Sequence, residues 1–350
     1  MSRPAAAARV LALALGGLMS IVPAGHADTV AAADWAAYSS RFVEPDGRVI
    51  DDGNGGISHS EGQGYGLILA AMAGDEAGFD RIWSFTQTNL LLRDDGLAVW
   101  RYDPRSRPPV TDVNNATDGD ILIAYGLSLG AGAFERPDLD TAAAGIATTV
   151  GATMLRRYEG RTLMKPGAAG FWEQNRPDAP VVNVSYWVFE ALPVLGELAP
   201  GADWDGLARA GLALVAETSM GPRHLPPDWA SLKGRPRPGQ GFPAEFGYNA
   251  FRIPLYLVRA GITDRALLEP FRHGMREADG SVAVVDIASG RATAKLADPG
   301  YRIIPALVDC VLDGTRLPAD LAEFQPTAYY PSTLHLLALA YLADHRPDCR

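Results

Sequence analysis

The chain has 350 residues, with 41 Asp and Glu against 31 Lys and Arg, and a formal net charge of −10. An acidic chain without a basic run is a poor partner for nucleic acid or an anionic membrane, so neither is expected. Its two cysteines, Cys310 and Cys349, exclude a thiolate metal cluster, and its six histidines show no H-x-x-x-H or H-E-x-x-H spacing, so no metal or cofactor is expected.

The N-terminus reads as a leader. Arg3 and Arg9 precede an apolar run, Val10-Leu11-Ala12-Leu13-Ala14-Leu15, that continues to Val22 and is broken by Pro23. Gly25-His26-Ala27 supplies small residues at −3 and −1 of a cut before Asp28, and the run is too short for a comfortable membrane span. The expected organisation is a signal peptide over residues 1–27 and one domain over 28–350, exported to the periplasm or beyond. Removing Arg3 and Arg9 takes the charge from −10 to −12, because residues 1–27 hold no acid. In an oxidising compartment Cys310 and Cys349 are free to pair, which the sequence leaves open.

Apolar residues at helical spacing run through Tyr65–Met72, Phe79–Leu91, Ile121–Leu129, Ala143–Leu155, Val184–Leu195, Leu207–Val215, Phe251–Val258, Ile303–Leu312 and Leu334–Leu342. Gly and Pro punctuate the gaps, and Val282–Ile287 is the only clear strand-like run. The expected class is all-α. Alternating short and long connectors suggest helix pairs wound into a toroid, although periodicity alone fits a bundle or solenoid equally well.

Two loop-to-helix junctions carry acids. Ser58-His59-Ser60-Glu61-Gly62-Gln63-Gly64 presents Glu61; Asn114-Asn115-Ala116-Thr117-Asp118-Gly119-Asp120 presents Asp118 and Asp120, with Asn115 or Thr117 as a candidate cap. Acids suit a helix's positive end, which accounts for either junction singly. Together they could converge on one cleft, and paired carboxyls in a cleft are what hydrolysis of a glycoside needs.

Ala116-Thr117-Asp118-Gly119-Asp120-x-x-Ile123-Ala124, continued by Leu127 and Phe134, resembles the signature of glycoside hydrolase family 8. Ser60–Gly66, Pro227-Asp228-Trp229, Phe246–Pro254 and Tyr329-Tyr330-Pro331-Ser332 resemble further family segments in the same order. The resemblance implies an (α/α)6 barrel with a cleft across one end. It also implies endo-acting, inverting hydrolysis of β-1,4-glucosidic bonds, with a β-1,4-glucan chain as partner. Among family members the chain looks most like the endoglucanases that accompany bacterial cellulose synthesis, which implies association with a cellulose synthase complex. Alternatives are a same-fold hydrolase of chitosan, xylan or mixed-linkage glucan, or a weakly active glucan-binding accessory protein.

The resemblance makes Glu61 the proton donor and puts Asp118 at the cleaved sugar. Asp120 is a candidate for substrate binding or for supporting work behind it. Asn249 stands where many members carry the aspartate that acts as base, and an amide takes no proton from water. Glu245 and Asp228 are the nearby candidates for that duty, or Asn249 holds the water while Asp118 takes the proton. Sugar rings pack their C–H faces on aromatics, so Trp100, Trp172, Tyr186, Trp187, Trp229, Tyr248 and Tyr330 are candidate subsite residues, each with core packing as the alternative. Arg252, three residues beyond Asn249, is a candidate to fix a carboxylate.

Overall fold

The computed structural model describes residues 29–350; the leader expected over 1–27 and its cut before Asp28 lie outside the described residues. Among the described residues twelve α-helices alternate in chain order between an outer and an inner position. The pairs are α1 (Ala32–Phe42) with α2 (Ser60–Met72), α3 (Glu76–Asn89) with α4 (Thr117–Ala133), and α5 (Pro137–Thr153) with α6 (Leu192–Leu198). They continue with α7 (Trp204–Thr218) and α8 (Arg252–Arg259), α9 (Arg265–Gly274) and α10 (Pro299–Asp313), and α11 (Ala319–Ala322) and α12 (Tyr329–His345).

Composition decides which member of a pair is inside. Helices α2, α4 and α12 carry small and apolar residues on every side and bury nearly their whole length. Helices α3 and α7 bury a stripe only, Phe79, Ile82, Trp83 and Thr86 in one and Leu207, Ala210, Gly211, Leu214 and Thr218 in the other. The even-numbered helices close a ring, α2 on α4, α4 on α6, α8 on α10, α10 on α12 and α12 on α2. Between α6 and α8 a 3-10 turn, Val184–Tyr186, packs on α8. The result is an (α/α)6 barrel.

Ten short strands decorate it: β1 (Ser58–His59), β2 (Arg101–Tyr102), β3 (Leu155–Tyr158), β4 (Arg161–Met164), β5 (Val181–Val182), β6 (Ala230–Ser231), β7 (Arg237–Pro238), β8 (Glu245–Phe246), β9 (Val282–Asp286) and β10 (Ala292–Leu296). All ten lie in the long connectors that lead into inner helices; the return connectors, such as 73–75 and 134–136, are short. Long loops therefore gather at the N-terminal ends of the inner helices. No helix among the described residues is long and apolar enough to cross a membrane. Cys310 of α10 and Cys349 form a disulfide that ties the C-terminal tail to the barrel.

Several local expectations need correction. The strand expected at 282–287 is present as β9, but nine other strands accompany it among the described residues, most of them two residues long and none a β-branched apolar run like that of β9. The helix expected over 184–195 is instead the 3-10 turn followed by α6, which starts beside Pro193, a residue suited to a first helical turn. Helices α1, α9 and α11 were not foreseen. Neither Asn115 nor Thr117 caps α4: its N-cap is Ala116, Thr117 Oγ1 donates to the Lys165 carbonyl, and the Asn115 amide donates to Asp120. The oxygens that local logic assigned to capping are engaged by the connector before α6, Thr117 Oγ1 at the Lys165 carbonyl and Asn115 Oδ1 by the Ala168 amide.

Helices α2 and α4 approach unusually closely because glycines face each other's backbone. A Cβ on Gly64 would lie 2.5 Å from the Leu122 Cβ, and one on Gly119 would lie 2.0 Å from Ser60 Oγ and 2.8 Å from the Glu61 nitrogen. Gly119→Ala should therefore push the two N-termini apart. Overpacking of this kind costs about 1–3 kcal/mol. Denaturant unfolding should show that loss, together with reduced turnover, because the displaced atoms belong to Ser60 and Glu61.

Candidate active site

Four inner helices point their N-termini at one end of the barrel, and their first residues line a cavity of about 620 Å3. Glu61 comes from the first turn of α2, Asp118 from that of α4, Arg252 opens α8 and Tyr330 belongs to the first turn of α12. Exposed N–H groups and the helix dipoles favour negative charge there, which suits both carboxylates.

Arg252 is the hub. Its side chain is 1% exposed, and Nη1 donates to Glu61 Oε2 at 2.5 Å and to Asp118 Oδ2 at 3.1 Å. Nη2 donates to Ser185 Oγ at 3.0 Å and Asn249 Oδ1 at 3.2 Å, and the guanidinium lies over the Tyr186 ring. A buried cation with this many acceptors fixes the relative positions of three cavity walls. Burial pushes the Asp118 carboxyl up to about 6, against the opposing pull of Arg252. Its two oxygens are both engaged, Oδ1 by the Gly119 amide and Oδ2 by Arg252. Two oxygens held by one nitrogen at 2.5 and 3.1 Å are at most about 5.6 Å apart. The nearest oxygens of Glu61 and Asp118 thus face each other across one guanidinium nitrogen.

Asn249 lines the cavity from the turn before α8. Behind it Asp228 is 7% exposed and organises that turn: Oδ1 accepts the Gly247 and Ala250 amides at 2.9 Å each, and Oδ2 accepts the Asn249 side-chain amide at 3.3 Å. Burial raises the Asp228 carboxyl despite these donors. Glu245, on β8, is partly exposed and is raised by burial and by the charges of Asp228 and Asp286. Neither acid is among the residues that line the cavity. Asp120 is also set back from it: its carboxyl accepts the Ala98 amide and the Asn115 side chain, both at 2.8 Å, and burial pushes it up to about 7. It ties the connector carrying Trp100 to α4.

The aromatic candidates divide. Trp100, Tyr186, Tyr248 and Tyr330 line the cavity; Trp100 donates from Nε1 to Asp112, and the Tyr330 hydroxyl donates to the Tyr248 carbonyl at 2.5 Å. Trp187 is buried in the core and donates to the Leu207 carbonyl. Trp172 packs edge-on to Tyr158 away from the cavity, and Trp229 stacks with Phe171 and Phe242. Asp51, His59 and Tyr301 line the cavity without having been candidates in the sequence, and Ser185 joins the site through Arg252. The Gly- and Asp-rich stretch 51–56 signals a tight turn. Nothing in it says that the turn folds back on the end of α2.

The family model for glycosyl hydrolases family 8 matches residues 10–344. The chain is 36% identical over 342 residues to a probable endoglucanase of Novacetimonas hansenii, covering 95% of this chain and 97% of the relative. It is 36% identical over 258 residues to an endoglucanase of Cellulomonas uda, covering 73% and 70%. Among solved structures, endo-β-1,4-glucanase CMCax from Acetobacter xylinum is similar with a TM-score of 0.80 and 34% identity, over 91% of this chain and 99% of that one.

Proposed function

The chain belongs to glycosyl hydrolases family 8, and from that membership we propose that it cuts internal β-1,4 bonds of a glucan lying across the cavity, with inversion at the anomeric carbon. It is a glycoside hydrolase, and relatives of this length and likeness are named endoglucanases. The observation that carries the site reading is the pair of carboxyls, Glu61 and Asp118, held by one buried guanidinium at the floor of an aromatic-walled cavity.

Glu61, 19% exposed and facing the cavity, delivers its proton to the glycosidic oxygen as the C1–O bond breaks and that oxygen takes the bonding pair. Asp118, buried with both oxygens engaged, is poorly placed as a nucleophile. It holds Arg252 and supports positive charge at the sugar. Water adds to C1 from the opposite face. Asn249 orients that water, and its proton reaches Asp228, which stands behind the cavity wall, through one bridging water. Asp228 suits this duty because it contacts the Asn249 amide and because burial raises its affinity for a proton. Tyr186, Tyr248, Trp100 and Tyr330 offer ring faces to neighbouring sugars. The mature domain, cut from its leader near Ala27, acts in the periplasm or beyond, on glucan emerging beside a cellulose synthase.

A reducing-end assay over a glycan panel, with proton NMR of the earliest product, tests this. The highest rate is expected on soluble cellulose derivatives, with the α anomer appearing first. A higher rate on xylan, chitosan or mixed-linkage glucan would overturn the substrate, and a β product would overturn inversion.

A further inference from the structure

The cavity wall beside Glu61 carries a second pair of titratable groups that the hydrolytic steps leave unused. Asp51 and His59 both line the cavity. Asp51 precedes a 3-10 turn, Asp52–Asn54, and its Oδ1 accepts the Asn54 amide at 3.1 Å. Its Oδ2 lies 3.2 Å from Nε2 of His59. The other ring nitrogen, Nδ1, accepts the Gly62 amide at 2.9 Å, which makes His59 the N-cap of α2. A backbone N–H only donates, so Nδ1 bears no proton, and Nε2 carries the hydrogen toward Asp51. The adjacent Asp52 accepts the amide of Tyr329, the first residue of α12, at 2.8 Å. Two neighbouring acids of one loop thus fasten the N-terminal ends of α2 and α12, where the ring of helices closes.

We propose that His59 is a positioning residue for Glu61: its neutral ring holds the first turn of α2, and a second proton on the ring releases that turn and draws Glu61 away from the bond to be cleaved. The proposal rests on Glu61 as the acid. An imidazolium donates from both nitrogens, so an Nδ1–H would face the Gly62 N–H and the cap would be lost, while Nε2–H keeps its hold on Asp51. The groups facing the ring are Asp51, with Asp52 beside it, from the loop, Glu61 from its own helix, Asp118 from α4, and the Tyr329 ring from α12, edge-on at 5.7 Å. Burial alone would lower the proton affinity of His59. The bond to Asp51, with the charges of Glu61, Asp51 and Asp118, outweighs it and raises it above the ordinary histidine value, the Glu61 share acting only while that carboxyl is ionised. The capping, neutral ring prevails above that raised value, so turnover is lost as the pH falls through it.

His59→Ala, assayed on soluble cellulose derivative across pH, should lower kcat roughly 10- to 100-fold, as misplacement of a reacting group does, with KM little changed. His59→Asn restores a good N-cap that does not titrate. It should recover most of the lost kcat and move the acid limb of the profile about one pH unit lower. Asp51→Asn, which removes the charge but keeps an acceptor for Nε2–H, should move that limb in the same direction. Nitrogen-15 NMR of the full protein should find the Nε2–H tautomer of His59 above the midpoint. Wild-type kcat and profile in His59→Ala, an unmoved acid limb in His59→Asn, or an Nδ1–H tautomer would each overturn the proposal. The tautomer is read without turnover, so it separates this failure from a failure of Glu61 as the acid, which Glu61→Gln reports by itself.

Discussion

Glu61→Gln is expected to lower turnover of an unactivated glucan by roughly two to four orders of magnitude while fold and glucan affinity persist. Glutamine has nearly the same shape, and its carbonyl oxygen still accepts from Arg252 Nη1, which holds Glu61 at 2.5 Å and Asp118 at 3.1 Å. The hub therefore survives, and what disappears is the transferable proton. Protonation matters only when the leaving oxygen is a poor leaving group. An aryl glycoside with a strongly acidic phenol should accordingly recover much of the lost rate in the variant. Equal losses on both substrates would mean that Glu61 acts through structure, and near-wild-type turnover on glucan would remove it from the acid role. Turnover compared with binding of the intact glucan separates these outcomes.

Asp228→Ala should be nearly as damaging. Its carboxylate takes the amides of Gly247 and Ala250 and the side chain of Asn249, so the variant loses a proton acceptor and also leaves buried donors unpaired. An unsatisfied buried group costs about 1–3 kcal/mol, visible in denaturant unfolding, and turnover should fall by at least about 100-fold. Asn249→Asp then separates base from scaffold. The new carboxylate would meet Asp228 where the Asn249 amide now lies 3.3 Å away, beside Arg252 Nη2. Like charges so close share a proton and raise one another. If Asp228 is the base, turnover should fall modestly, and the limb that reports the base should move to higher pH. A gain of orders of magnitude would show instead that the native site lacks a base, and would overturn the assignment to Asp228.

Much of the fold was legible because its signals are local. Stretches such as Ile121–Leu129 and Leu334–Leu342 read as helices from their apolar spacing, and they form inner members of the barrel. The acid-bearing junctions at Glu61 and Asp118 were legible for the same reason, since each stands where a Gly-rich or polar stretch meets such a helix. Most of the short strands escaped because two residues carry no period, and β10, as long as β9, escaped because Ala-Thr-Ala-Lys-Leu lacks the β-branched run that marks β9. Helix α9 escaped because Pro270 interrupts its pattern. Among the aromatics, sequence context did not distinguish Trp187, in the core, from Tyr186, its neighbour on the cavity wall. One residue of register decides which way a ring points, and that register is set by packing.

The sequence by itself determined the class of the chain, the alternation of long and short connectors, and the acids that open two inner helices, because helix periodicity and turn chemistry depend on neighbours in the chain. Only the tertiary structure decided that Arg252 joins Glu61 to Asp118, that Asp228 stands behind Asn249, and that Asp51 reaches the cap of α2 through His59. Those contacts join residues brought together by ring closure and by the glycine-lined approach of α2 to α4. Their strength comes from burial, which removes water as the competing partner and lets one guanidinium or one imidazole hold several groups in a fixed arrangement.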